Sequence, residues 1–201
     1  MTDYTNNKII MFFDTETTGT QFDAEVAQIA MLLKTDNGFS LGEFNCLVKP
    51  DDWIMSDEVT QFHDDNQSAV SMANCNKFGF NSNVIFGAFN FLASKADIIC
   101  GHNLQFDIDR LSFLAERLGR ELYLPAQRIC TMESARDIIK IPPTQRMKDF
   151  GHGHEYKNPN LRETYSFFFG KEFENAHDAM SDISATAEIF YKLLADNHIK
   201  I

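Results

Sequence analysis

Near its start the chain reads MFFDTETTG over residues 11–19, an apolar run that leads into alternating acidic residues and threonines. Three consecutive apolar residues before Asp14 and Glu16 predict a buried strand that ends in two carboxylates. Because successive side chains of a strand point to opposite faces, Asp14 and Glu16 should project to one side, with Thr15 turned away. Two carboxylates on one face of a strand need a partner elsewhere in the chain.

The sequence around this strand predicts an antiparallel beginning to a sheet. Three strands are expected in succession, near residues 8–15, 25–34 and 39–48. A turn signal, Asp36 to Gly38, joins the last two. Short helical pieces over 57–77 and a longer helix over 80–94 follow, before a buried strand at 97–101. From there the chain alternates between helix and strand.

The second half carries clear signals for where helices begin and end. Apolar residues recur at three- and four-residue steps in Leu104, Ile108, Leu111, Ala115 and Leu118. Asn103 is the expected N-cap of this helix and Gly119 its stop. A strand near 127–130, a helix near 132–139 and an irregular loop over 141–158 come next. Asn160 and Glu163 have capping-box spacing for a helix that ends at Gly170, and Asp178 can cap a final helix.

Composition favours one soluble domain over residues 1–201, with residues 1–7 disordered. The 201 residues are 44% hydrophobic and 23% charged, which is enough chain to bury a core. Neither a signal peptide nor an apolar run long enough to span a bilayer is present, so we expect a cytoplasmic protein that does not contact a membrane. The four cysteines are widely spaced, which indicates reduced thiols rather than a zinc site or a disulfide framework.

Two further carboxylates lie where side chains are expected to converge on Asp14 and Glu16. Asp107 ends GHNLQFD (101–107), directly after a strand, and Asp182 ends HDAMSD (177–182), in the first turn of the last helix. Four converging carboxylates would repel by ~1 kcal/mol per pair in water and by ~4 at an effective dielectric constant of 20, so the cluster predicts bound cations. Carboxylate ligands favour divalent cations such as Mg²⁺ or Mn²⁺. Two such cations about 4 Å apart can bind the attacking and leaving oxygens of a phosphodiester. A neighbouring histidine, such as His177, can take the proton from the attacking water.

In this order, DTETTG, GHNLQFD and HDAMSD resemble the three motifs of the DnaQ-like 3′-to-5′ exonucleases of the DEDDh class. The resemblance extends from about residue 8 to about 194. It implies an α/β protein with the ribonuclease H-like fold, a mixed sheet whose first three strands are antiparallel and whose two faces are covered by helices. The sister class carries a tyrosine four residues before the last aspartate, where this chain has Asp178. The histidine class is therefore the one implied.

The resemblance also implies a role for each acidic residue. Asp14 would bridge both cations, Glu16 and Asp182 would hold the one that activates water, and Asp107 would serve the second. His177 would be the general base. The implied activity is hydrolysis of phosphodiester bonds at the 3′ end of DNA, preferably single-stranded or frayed, with release of nucleoside 5′-monophosphates.

Other matched positions imply contacts with the substrate. The backbone that contacts the terminal 3′-hydroxyl in the family falls on Thr17 and Thr18, and Phe106 matches an aromatic residue near the terminal nucleotides. Asn103, in the same motif as Phe106, is a further candidate for substrate binding. Many relatives carry a leucine after the glycine of the first motif, where this chain has Thr20. Phe22 is a hypothetical replacement for that leucine.

The net charge of −11 disfavours binding of long duplexes, because proteins that bind nucleic acid through its phosphates are usually basic. Only the stretch 136–162 is basic, with six basic against three acidic residues. Arg146, Lys148 and Lys157 in this stretch are candidate phosphate contacts. Two alternatives remain: an exoribonuclease of the same fold, and a non-catalytic module that binds a partner. A proofreading subunit would in addition bind a polymerase or another replication protein.

Overall fold

A computed structural model describes residues 6–21, 23–151, 155–173 and 178–201. The five strands are β1 (Ile9–Thr17), β2 (Val26–Thr35), β3 (Ser40–Leu47), β4 (Ile98–Gly101) and β5 (Gln127–Cys130). The helices of the described residues are α1 (Asp57–Asp65), α2 (Met72–Phe78), α3 (Ser82–Ala93), α4 (Leu104–Arg117), α5 (Thr131–Ile139), α6 (Gln145–Asp149), α7 (Leu161–Phe169) and α8 (Ala179–Ala195).

The strands form one mixed sheet in the order β3-β2-β1-β4-β5. β1 pairs antiparallel with β2, which pairs antiparallel with β3, whereas β4 runs parallel to both β1 and β5. The predicted antiparallel start followed by alternating helices and strands is therefore confirmed. β1 is central, so both of its faces are buried and its apolar run is continuous.

Alternation along β1 divides the core into two layers. Met11 and Phe13 belong to the cluster on one face of the sheet, together with apolar residues of α3 and α4. Ile10 and Phe12 belong to the cluster on the other face, where the rings of Phe12 and Phe190 of α8 meet edge to face at 5.2 Å. The sheet is thus covered by helices on both faces, with α4 and α8 on opposite sides of β1.

The structure corrects two predictions for the second half of the chain. Asn103 lies at the N-cap position of α4, but its side chain makes no cap hydrogen bond and its backbone is left-handed, with φ 69°. Asparagine adopts this region more readily than most residues, so the strand-to-helix turn uses its backbone rather than its side chain. The stretch 141–158 is not wholly irregular, because it contains α6, whose N-cap Thr144 accepts a hydrogen bond from Met147 N–H at 3.2 Å.

The predicted ends of α7 and the predicted start of α8 are confirmed. Asn160 and Glu163 form a capping box at the start of α7, and Gly170 ends it with φ 65°. Asp178 caps α8 by accepting a hydrogen bond from Ser181 N–H at 3.0 Å. Among the helices described, none is long and apolar enough to span a membrane.

Candidate active site

Asp14 and Glu16 lie at the end of β1, on the face against which α8 packs. They share this face with Phe12, because side chains two positions apart on a strand point the same way. Asp182 lies in the first turn of α8. One carboxylate oxygen from each of Asp14, Glu16 and Asp182 lies within 4.8 Å of the other two, so the structure brings these three predicted residues together.

Asp107 reaches the same strand end from α4, on the opposite face of the sheet. Its Oδ1 accepts hydrogen bonds from the backbone N–H of Thr15 at 3.0 Å and from the hydroxyl of Thr15 at 2.7 Å. These two bonds fix the orientation of the Asp107 carboxylate. They also compensate in part for its burial, since only 2% of the residue is exposed. Alternation along β1 identifies Thr15 only as the residue between two acids and gives no signal for this bond.

The four carboxylates are close enough to perturb one another. Burial first, then repulsion from Asp107, Glu16 and Asp182, raises the pKa of Asp14 well above its ordinary value. Burial together with repulsion from Asp182 and Asp107 raises the pKa of Glu16 to about 8. Burial raises the pKa of Asp107 to about 7, although the hydrogen bonds from Thr15 and the charge of Arg110 act in the opposite direction. Without a cation, the cluster therefore favours bound protons.

This donor set fits hard divalent cations. Three carboxylates offer oxygen ligands within a few ångströms, and Asp107 adds a fourth carboxylate held in a fixed orientation. Oxygen ligands suit Mg²⁺ or Mn²⁺, whereas zinc favours histidine and cysteine. A divalent charge would also oppose the repulsion that raises the pKa values of Asp14 and Glu16.

Asp178 adds a further negative charge at this end of α8. Its charge contributes to raising the pKa of both Asp14 and Glu16, which the sequence did not indicate, because there Asp178 is a helix cap and the position of the sister class's tyrosine. The predicted general base, His177, precedes it directly and lies outside the described residues. Phe22, the hypothetical replacement for the family's leucine, lies outside them as well.

A cavity of about 640 Å³ adjoins the carboxylates on the side of Glu16. Predicted substrate residues Thr17, Thr18 and Phe106 line it, and so does Thr20. The opposite side comes from α1 and the residues before it, which the sequence analysis did not connect with the site. These additional lining residues include Ile54, Ser56, Glu58, Val59, Phe62 and His63.

Backbone groups of the first motif are held from two directions. Thr18 N–H donates to the carbonyl of Glu25 at 2.9 Å, and the side chain of Thr18 accepts from Glu25 N–H at 3.0 Å. Nε2 of buried His63 lies 3.2 Å from the carbonyl oxygen of Thr17, and burial lowers the pKa of this histidine. The register between β1 and β2 also shifts directly after Glu16. The pairing of β1 with β2 therefore becomes irregular beside the cavity.

The three predicted phosphate contacts and Asn103 are not among the described residues that line this cavity. Arg146 and Lys148 lie on α6, where the guanidinium of Arg146 is 5.9 Å from the ring of exposed Phe150. Lys157 forms an ion pair with Glu163 at 2.7 Å, so its ammonium would have to leave this carboxylate to bind a phosphate.

A protein-family model described as exonuclease, of the RNase T type, matches residues 11–190. This chain belongs to that exonuclease family. As a member, it carries a nuclease domain of the hydrolase class, and its matched region begins in β1 and ends in α8. A search of curated proteins finds no match to the chain.

Solved structures share the fold of this exonuclease domain. A structure of exonuclease I matches with a TM-score of 0.72 and 20% identity, over 94% of this chain and 41% of that one. Escherichia coli exonuclease I in complex with a dT13 oligonucleotide matches with a TM-score of 0.72 and 20% identity, over 94% and 43%. The zinc-bound E. coli enzyme in complex with single-stranded DNA gives a TM-score of 0.71 and 19% identity, over 94% and 41%. The chain thus spans less than half the length of these proteins, and at this identity the match establishes a common fold.

Proposed function

We propose that this domain is a metal-dependent 3′-to-5′ exonuclease that removes nucleotides from DNA, preferably from single-stranded or frayed ends, and releases nucleoside 5′-monophosphates. The observation that carries the proposal is the cluster of Asp14, Glu16 and Asp182, joined by Asp107, at one end of a cavity of about 640 Å³. Membership of the exonuclease family supports the reaction type. The solved complexes of E. coli exonuclease I with dT13 and with single-stranded DNA support DNA as the polymer.

Two divalent cations, Mg²⁺ or Mn²⁺, are the proposed cofactors. Asp14 would be shared between them, Glu16 and Asp182 would hold one, and Asp107 would hold the other. When bound, the cations would lower the pKa of the attacking water and stabilise the charge that develops on the phosphate. Their positive charge would also neutralise the carboxylates, which would otherwise repel the negatively charged phosphodiester.

The chain's own residues account for orientation and proton transfer in this proposal. Thr15 holds the Asp107 carboxylate through two hydrogen bonds, so this ligand needs little rearrangement. The cavity beside Glu16 would receive the terminal nucleotide, with the apolar ring of Phe106 on one side and the backbone of Thr17 and Thr18 on another. His177 would accept the proton of the attacking water as general base.

The experiment that tests this function is a time course with single-stranded DNA and RNA of one sequence, labelled at either end, in Mg²⁺ or Mn²⁺. We expect 5′-labelled DNA to shorten as a ladder and 3′-labelled DNA to release labelled mononucleotide. Asp14→Asn should abolish both signals. Asp109→Asn provides the matched control, since this carboxylate on α4 accepts a hydrogen bond from the Gln105 side chain at 2.7 Å and is not part of the acidic cluster.

Each other outcome identifies a different error. Faster cleavage of RNA than of DNA would replace the substrate class with RNA. Activity that survives in Asp14→Asn would come from a contaminant or from another site. An inactive wild-type chain, with metal present, would contradict the proposed function.

A further inference from the structure

Arg110 is a buried cation beside the cavity, and the proposed reaction does not use it. It lies on α4, three residues after Asp107, and only 5% of it is exposed. Burial of a guanidinium costs free energy unless its charge and its N–H groups are engaged. Its contacts therefore indicate what this position does.

The Arg110 side chain connects two sides of the cavity. Its Nη1 donates a hydrogen bond to the carbonyl oxygen of Gln21, and its guanidinium carbon lies 4.8 Å from the centre of the Phe106 ring. Both Gln21 and Phe106 line the cavity, whereas Arg110 is not among the described lining residues. Arg110 thus contacts a residue on each of two sides of the cavity from outside its lining.

The Gln21 contact is well placed to fix the loop between β1 and β2. The base of this loop is closed by hydrogen bonds between Thr18 and Glu25, at 2.9 and 3.0 Å. Farther along, the carbonyl of Gln21 accepts from Ala24 N–H at 3.0 Å and from Arg110. The loop is therefore closed on itself at its base and attached to α4 through Arg110.

We propose that Arg110 is a positioning residue. It sets the separation between the Phe106 ring and the carbonyl of Gln21 in the loop between β1 and β2, and this separation determines how well the terminal nucleotide fits. The proposal rests on the function proposed above and deepens it. A planar guanidinium can stack on a ring and donate in its own plane at the same time, which a lysine ammonium does less well. Arg110 acts through its two neighbours and does not touch the substrate.

The test compares Arg110→Met and Arg110→Lys with a matched control, Arg120→Met. Arg120 makes the same two kinds of contact away from the cavity: its guanidinium carbon lies 5.1 Å from the ring of Phe86, and it donates to the carbonyl of Asn83 at 3.1 Å. For each variant we would measure kcat and KM on a short single-stranded DNA, the Kd for dTMP by calorimetry in Mn²⁺, and the shift in Tm that Mn²⁺ produces.

We expect Arg110→Met to raise KM and the Kd for dTMP by on the order of 10-fold, with a smaller change in kcat, because misplaced binding groups weaken the fit before they alter the chemistry. Arg110→Lys should fall between wild type and Arg110→Met. The Mn²⁺-induced shift in Tm should persist in both variants, although Arg110→Met removes a charge that lowers the pKa of Asp107. Arg120→Met should keep the wild-type KM and Kd.

Unchanged KM and Kd in Arg110→Met, or equal increases in Arg120→Met, would overturn the proposal. Loss of the Mn²⁺-induced shift would show that Arg110 acts through Asp107, which would overturn it as well. If Arg110→Met does not fold, Arg110→Lys decides alone by the same two constants. A wild-type chain that binds dTMP but cuts no DNA would contradict the proposed function alone, and the Kd values would still decide the role of Arg110. A wild-type chain that does neither would contradict both.

Discussion

At Glu16, burial and negative charge act in the same direction. The residue is 9% exposed, and the charges of Asp182, Asp107 and Asp178 oppose its ionisation. Its pKa is raised to about 8 and that of Asp107 to about 7. A carboxyl with a raised pKa holds a proton in the folded chain at pH values at which the unfolded chain has released it. Such a group stabilises the fold below its unfolded pKa, and this contribution is lost as pH rises through the folded pKa.

We therefore predict that the metal-free protein loses stability as pH rises from 6.5 to about 8.5. Tm measured in a chelator should fall across this window. The window avoids the titration of the partly buried His102, whose pKa burial lowers to about 4. Its contribution has the opposite sign and is lost only as pH falls below about 6.5. Glu16→Gln should flatten the dependence of Tm on pH.

Glu133→Gln is the matched control, because Glu133 is an exposed acid in the first turn of α5. It should retain the wild-type slope. An equal slope in Glu16→Gln and wild type would mean that Glu16 holds no proton in this range and that other groups produce the effect.

At the scale of helices, the sequence predicted those features that depend on residues within about four positions. The capping box of Asn160 and Glu163 and the left-handed Gly119 just after α4 are of this kind. Asn103 differs because the turn between β4 and α4 fixes its backbone, and tertiary structure overrides its side-chain capping preference. The five-residue α6 was missed because one turn is too short to show a helical periodicity.

The exposed cations of α6 allow a prediction at this scale. If Arg146 and Lys148 bind phosphates, Arg146→Glu with Lys148→Glu should raise KM for single-stranded DNA. It should also reduce the slope of log KM against log salt concentration by roughly 1.4, since each contact with a single strand contributes about 0.7. The measurement is a salt titration of initial rates.

Lys77→Glu with Lys95→Glu supplies a control with the same change in net charge. These two lysines also lie over aromatic rings, at 4.9 Å from Phe78 and 5.3 Å from Phe91. Reversal of their charge should leave the salt dependence near that of wild type. A slope that falls equally in both double variants would indicate a general effect of net charge and would remove Arg146 and Lys148 from the substrate site.

At the scale of the whole molecule, alternation along β1 explains how the site is assembled from both faces of the sheet. Asp14 and Glu16 meet Asp182 on the α8 side, while Thr15 meets Asp107 on the α4 side. The local pattern predicted the first half of this arrangement. Residues about 90 and 170 positions away were expected to join them because Asp107 directly follows a strand and Asp182 lies in the first turn of a helix, and the resemblance of the three motifs supported this; local spacing alone carries no information on such distances.

The side of the cavity formed by α1 shows where prediction from sequence ended. Phe62 and His63 are about 45 residues from the first motif and belong to none of the three motifs. From the sequence pattern alone, an aromatic residue and a histidine on a short helix would be assigned a role in packing rather than in a functional site. Only the folded chain places His63 against the carbonyl of Thr17.

The last prediction concerns the balance of charge over the molecule. A chain with a net charge of −11 that gathers Asp14, Glu16, Asp107 and Asp182 at one place should be stabilised by any divalent cation that binds its folded state alone. We expect Mn²⁺ or Mg²⁺ to raise Tm, with a gain of about 2.7 kcal/mol when the free cation is 100 times its Kd. The measurement is a melting curve at increasing cation concentration.

Asp14→Asn should remove most of this increase in Tm, because it takes away the carboxylate closest to the centre of the repulsion and the proposed ligand of both cations. At neutral pH the chelated variant should also melt above the chelated wild type, since Asp14 must take up a proton to enter the buried cluster, whereas an asparagine is already neutral. Asp109→Asn changes an acid to an amide on the same domain without entering the cluster, so it should keep the full increase. If Asp14→Asn and wild type gain equally from the cation, the stabilising ions bind elsewhere on the acidic surface and the cluster is not the metal site.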